Sequence, residues 1–145
     1  MKYQQSIVVN APADKVFEYV SDVTKLPEWG QFSVAVRQTS QGAVGVGTTF
    51  ETDGKQFGNH TDTCTVAEYV PGKRFTLETS GDAGDVRNWF ELEDQGSTTR
   101  LTKVQEFTKP ALSAKLARPV ISRLAPKNLM KDLEKIKANI EGSVS

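Results

Sequence analysis

The chain has 145 residues, 37% hydrophobic and 8% aromatic, and its 18 Lys and Arg balance 18 Asp and Glu beside one His. That length suits one domain over residues 1–145, and a balanced charge with no basic block interleaved with aromatics argues against nucleic acid as a partner. No apolar run is long enough to span a bilayer, Met1–Ser6 has no signal-like apolar stretch, and the single cysteine, Cys64, forms no internal disulfide, so a cytoplasmic protein without integral membrane contact is expected.

In chain order, the β-branched Ile7, Val8 and Val9 predict a strand over Ser6 to Asn10. Pro12 suits the first turn of a helix, in which Asp14 complements the dipole and Val16, Phe17 and Val20 recur at helical spacing. Pro27 is expected to arrest the next segment, a second short helix ending near Trp29 and Gly30. Strands are then predicted from Phe32 to Thr39, Thr48 to Lys55, Asn59 to Val70, Arg74 to Thr79, Val86 to Glu93 and Thr99 to Thr108. Gly-rich connections over 41–45 and 80–85 and turns at Pro71-Gly72 and 94–97 join them as an antiparallel meander. Leu112, Leu116, Val120 and Leu124 keep a helical rhythm that Pro119 interrupts, predicting a break near residue 118. These apolar positions are expected to cover the sheet, which argues against membrane binding, while the basic face of Lys115, Arg118, Arg123, Lys127 and Lys131 reads equally as a solvated face or as a peripheral membrane contact or anionic substrate entrance. Leu129, Leu133, Ile136 and Ile140 form one apolar stripe along a helix expected to end at Gly142. The fold class is therefore α+β, a curved antiparallel sheet of about seven strands wrapped around a long C-terminal helix, with two short helices after the first strand.

Strand alternation assigns the inner face. Thr61, Thr63 and Thr65 suit a solvated exterior, which turns His60, Asp62, Cys64 and Val66 inward; Thr48, Phe50 and Thr52, then Phe75, Leu77 and Thr79, then Asn88, Phe90 and Leu92 are placed by the same rule. Arg87, Trp89 and Glu91 face out, and so does Tyr69. In the last strand Leu101 and Phe107 share a parity with Lys103 and Gln105, so a bulge or a polar pocket lining is expected there.

The inner set is mostly apolar with a few polar groups, the make-up of either a filled core or a small-molecule pocket. His60 beside Asp62 has the chemistry of a general acid or base near neutral pH; its place at the start of a strand, next to Gly58 and Asn59, favours the plainer reading of a rim residue in contact with solvent. Trp29 and Phe32 flank Gly30, where Trp29 either stacks on a ring-containing ligand or closes the helix pair against the sheet. No metal is assigned, because one His, one nearby Asp and one Cys fall short of a recognisable ligand set, and no cofactor motif is present.

The opening strand and capped helix over Asn10–Gly30, together with Val46-Gly-Thr-Thr-Phe50, the stretch from Val66 to Phe75, Gly96 to Leu101 and the C-terminal helical region, resemble the START-like (SRPBCC) superfamily in its polyketide cyclase/dehydrase-like branch. The resemblance implies a helix-grip fold with a cavity between sheet and long helix, whose mouth is formed by loops and the short second helix. Members include cyclases, dehydratases, lipid carriers and hormone receptors, so the fold does not settle the reaction. The expectation is a binder of an apolar or aromatic small molecule, using Trp29, Phe32, Phe50, Cys64, Phe75, Leu77, Asn88, Phe90, Leu129 and Leu133. The alternative is a cyclase or dehydratase with His60 and Asp62 as catalytic residues. An interaction module acting through an outward Trp89 is a third reading.

Overall fold

The computed structural model describes residues 1–55 and 58–144. Among them the elements run β1 (Lys2–Val9), α1 (Ala13–Val20), a single 3-10 turn (Val23–Lys25), α2 (Leu26–Trp29), β2 (Ser33–Gln38), β3 (Thr49–Gly54), β4 (His60–Val70), β5 (Arg74–Gly81), β6 (Gly84–Asp94), β7 (Thr99–Pro110), α3 (Leu112–Leu116) and α4 (Arg118–Val144). The strands form one antiparallel sheet in the order β1-β7-β6-β5-β4-β3-β2, so β1 crosses over to pair with the last strand and the rest is a meander. This is the helix-grip architecture. Leu133, Ile136 and Ile140 of α4 are buried in one cluster with Val9, Val16, Phe17, Phe75 and Leu101, which joins α1, the sheet and the long helix through a common core.

Several expectations needed correction. Strand β1 begins at Lys2 rather than Ser6, since the alternating polar residues ahead of Ile7 pair with β7 as far as Glu106. Pro27 lies in the first turn of α2 and starts that helix instead of arresting it, because its missing N–H has no partner to lose there. The stretch over 80–85 is mostly strand, with β5 and β6 joined through Asp82 and Ala83. Helix α4 continues past Gly142 and carries Pro126 inside it, while the break expected near 118 occurs between α3 and α4.

Two corrections come from sheet geometry. The pairing of β4 with β5 shifts between Val66 and Glu68, so one extra residue reverses the parity. Tyr69 consequently points inward, edge-on to Phe17 at 5.3 Å and to Phe75 at 6.0 Å. Trp89 does lie on the outer face, opposite Thr76 and Val104, yet is only 6% exposed. The Arg74 guanidinium and the Lys2 ammonium lie over its ring at 5.1 and 5.4 Å, and its Nε1–H donates to Glu91 at 3.0 Å. A covered indole offers no docking surface, so Trp89 lends no support to the interaction-module reading.

The outer face is knit around Glu68, whose Oε1 accepts from Thr76 Oγ1, Arg87 Nη2 and Arg74 Nε at 2.9, 2.8 and 3.1 Å. The Thr76 hydrogen bond first, with Arg87 and Arg74 adding to it, holds the Glu68 carboxyl below its ordinary value of 4.5. A carboxyl held low in the folded state contributes stability that is present above its unfolded value and is lost as pH falls through the folded one. Glu68→Gln is therefore expected to lower stability at pH 7 by under about 1 kcal/mol, the group being about a third exposed. The loss should shrink in melts run progressively below pH 4.5.

Candidate functional site

Between the inner face of the sheet and α3–α4 lies a cleft of about 540 Å³, and a deeper chamber of about 220 Å³ continues beneath α2. Both are walled in part by His60, Asp62, Asn88, Lys103, Gln105 and Asp132, which form the polar seam where they meet. Of the residues expected from the sequence, Trp29, Cys64, Phe75, Leu77 and Phe90 line the chamber, Leu129 lines the cleft, and Phe32 and Asn88 line both. Phe50 and Leu133 are buried but border neither space; they are core.

His60 and Asp62 start β4 on its inner edge. Their side chains rotate toward each other, placing Nδ1 3.2 Å from Oδ2, and both remain about one-fifth to one-quarter exposed. Two glycines make the room. A Cβ on Gly54, the cross-strand partner of His60, would stand 2.7 Å from the imidazole, and a Cβ on Gly81 would collide with the Asp62 carboxylate. Burial pushes the Asp62 carboxyl above its usual value and nearby Asp82 adds to this, while His60 opposes it. A carboxyl raised in this way holds a proton more readily than one in water.

Parity placed Lys103 among the polar positions of β7 but gave it no partner. Lys103 lies in the inner row of β7 between Leu101 and Gln105, and its Nζ donates to Asp132 Oδ2 of α4 at 3.0 Å, with the two side chains 11% and 13% exposed. The ammonium sits 4.9 Å from the centre of the Trp29 ring and 6.0 Å from that of Phe90. The other carboxylate oxygen accepts from the Gln31 backbone N–H at 3.4 Å. Two signals for the pair were in the sequence: Lys103 shares parity with Leu101 and Phe107, and Asp132 stands next to Leu133 in the buried stripe of α4. The two alternatives left open for β7, a bulge or a polar lining, occur together: its pairing with β6 shifts between Asp85 and Val86 and leaves Thr108 unmatched, and Lys103 and Gln105 line the cleft. Trp29 Nε1 is buried with no acceptor among the described residues.

Cys64 is buried at the chamber wall, its Sγ 3.4 Å from Thr79 Oγ1. Burial pushes the thiol above its usual 9.0 despite that hydrogen bond, which is the opposite of an activated nucleophile. A neutral disulfide reagent is expected to modify the folded protein at least about a hundredfold more slowly than the unfolded chain. Comparable rates would mean that the chamber opens freely. Among the described residues no three His, Cys, Asp or Glu side chains gather as a metal site.

The same fold occurs in a protein from Thermus thermophilus, at a TM-score of 0.82 and 14% identity over all of both chains. The Zhui aromatase/cyclase from a Streptomyces species superposes at 0.83 with 17% identity, over 100% of this chain and 96% of the other. A START superfamily protein from Mycobacterium smegmatis gives 0.78 and 16%, over 97% of each. No curated protein matches in sequence. The family described as polyketide cyclase/dehydrase and lipid transport matches residues 1–141, from the first strand nearly to the end of the long helix, and the chain belongs to that family.

Proposed function

We propose that the protein binds a hydrophobic or aromatic small molecule that carries a hydrogen-bond-accepting oxygen. The observation that supports this reading best is the Lys103–Asp132 pair, set in a largely apolar space beside the Trp29 and Phe90 rings. Apolar walls supply affinity through buried area, and a carbonyl or carboxylate reaching the ammonium fixes orientation. A charged pair taken from water contributes little to stability alone, so its retention in a cavity fits a binding role. A cytoplasmic setting agrees with the single buried thiol.

Tryptophan fluorescence tests the reading with a panel of fatty acids, flavonoids and aromatic polyketides, in a Trp89→Phe background that leaves Trp29 as the reporter. Saturable quenching is expected, with affinity for oxygen-bearing ligands about tenfold weaker in Lys103→Gln. If no compound quenches Trp29, the chamber it lines takes no ligand and the proposal fails.

A second reading, a cyclase or dehydratase, is favoured by His60–Asp62 and Lys103–Asp132 facing one cleft, as two titratable pairs at different depths. On this reading His60 takes or returns a proton at an enolisable carbon while Lys103 stabilises the enolate oxygen. Turnover of a poly-β-keto substrate mimic that is lost in His60→Gln, with binding kept, would establish it.

A further inference from the structure

The mouth of the cleft carries an exposed apolar ridge. Leu112 and Leu116 of α3 are 71% and 75% exposed, and Val120 and Leu124 of α4, at the same four-residue interval, are 50% and 39% exposed. Leu112 and Leu116 do not cover the sheet as their periodicity suggested, Val120 and Leu124 face it across the cleft without packing on it, and the buried contacts of this region are made by Ala114 and Ala125. Large aliphatic side chains standing in water along two helical segments are unusual unless they meet an apolar surface.

The charge around them is one-sided. Residues 109–131 contain Lys109, Lys115, Arg118, Arg123, Lys127 and Lys131 and no Asp or Glu, in a chain whose formal net charge is zero. All six are exposed, and none forms an ion pair among the described residues. We propose that α3 and the first turns of α4 dock the protein peripherally on an anionic lipid bilayer, with the leucine ridge entering the headgroup–acyl boundary and the cations meeting lipid phosphates. No helix among the described residues is long and apolar enough to cross a membrane, and the proposed contact lies in the plane of the surface.

Charge and shape select this occupant. A second copy seated on the same ridge about a twofold axis would set six cations against six, which opposes a dimer. An acidic protein would satisfy the cations, yet the segment holds no aromatic residue of the kind that anchors protein interfaces, and Leu112 and Leu116 stand out from the surface instead of lining a pocket. Val120 and Leu124 also line the cleft, so docking would bring its mouth to the lipid surface. The ridge is a property of the surface and stands whether or not the cavity binds a ligand.

Co-sedimentation of the full chain with vesicles tests the proposal, using phosphatidylcholine alone and phosphatidylcholine with about 30% phosphatidylglycerol at about 0.1 M salt. Binding to the anionic vesicles is expected to be at least about tenfold stronger than to the neutral ones. It should fall about tenfold in Leu112→Ser/Leu116→Ser, whose fold is checked by circular dichroism, and the preference for phosphatidylglycerol should disappear in Lys115→Gln/Arg118→Gln. Failure to sediment with either vesicle overturns the proposal and leaves an acidic protein as the occupant. Binding that survives the leucine substitutions also overturns it, as does a solution dimer that those substitutions dissociate.

Discussion

Lys103→Met is expected to lower the free energy of unfolding by about 3 kcal/mol, because it leaves the largely buried Asp132 carboxylate without its partner. The methionine matches the aliphatic length of lysine and keeps the contact with Trp29 and Phe90, so the loss reports the missing charge and not a void. Lys103→Met/Asp132→Leu should recover most of the loss, since two apolar side chains of similar volume need no compensation. Urea denaturation of the two variants and of Asp132→Leu completes a double-mutant cycle. A Lys103→Met protein within about 1 kcal/mol of the parent would show that water reaches the carboxylate and that the pair is not sealed. The structural and ligand-binding roles of Lys103 separate in the double variant, which should fold well and still bind oxygen-bearing ligands poorly.

Phe75→Ala should cost about 3 to 5 kcal/mol. The ring is 1% exposed and meets Phe17 of α1 edge-on at 6.4 Å and Tyr69 of β4 at 6.0 Å, so its removal loosens the contact between the first helix and two strands at once. It also lines the deeper chamber, which would grow into the vacated volume. The measurement is a denaturant midpoint at unchanged slope, and a loss below about 2 kcal/mol would mean that Phe17 and Tyr69 collapse into the space.

The order of strands and helices was legible because β-branched runs, turn glycines and the i, i+4 stripe of Leu129, Leu133, Ile136 and Ile140 are local signals. The inner face of β4 was legible up to Val66 and misread beyond it, since an inserted Ala67 leaves no trace in composition while reversing every later side chain. Trp89 shows the same limit: parity gave its face, but burial depended on Arg74 and Lys2 arriving from other strands. At the site, the His60–Asp62 pair was visible as adjacent chemistry, whereas Lys103 and Asp132 are far apart in the chain and meet only because β7 and α4 pack together. The ridge from Leu112 to Leu124 was read as core because periodicity reveals an apolar face without saying what lies against it.

The proline within α4 divides that helix into two differently anchored parts. Behind Pro126, Asn128 and Asp132 accept from Gln31, Lys137 donates to the Val8 carbonyl, Asn139 donates to Tyr19, and Glu141 accepts from the Asn10 backbone. Ahead of it, Ser122 meets Tyr3 of β1 at 2.8 Å, and Pro126 offers no N–H to the carbonyl one turn earlier. The rear part acts as a fixed beam and the front part as a cantilever above the cleft. On this anchoring, local opening is expected in the front turns while the core that sets global stability stays closed. In amide exchange the two parts of one continuous helix would report two different opening energies.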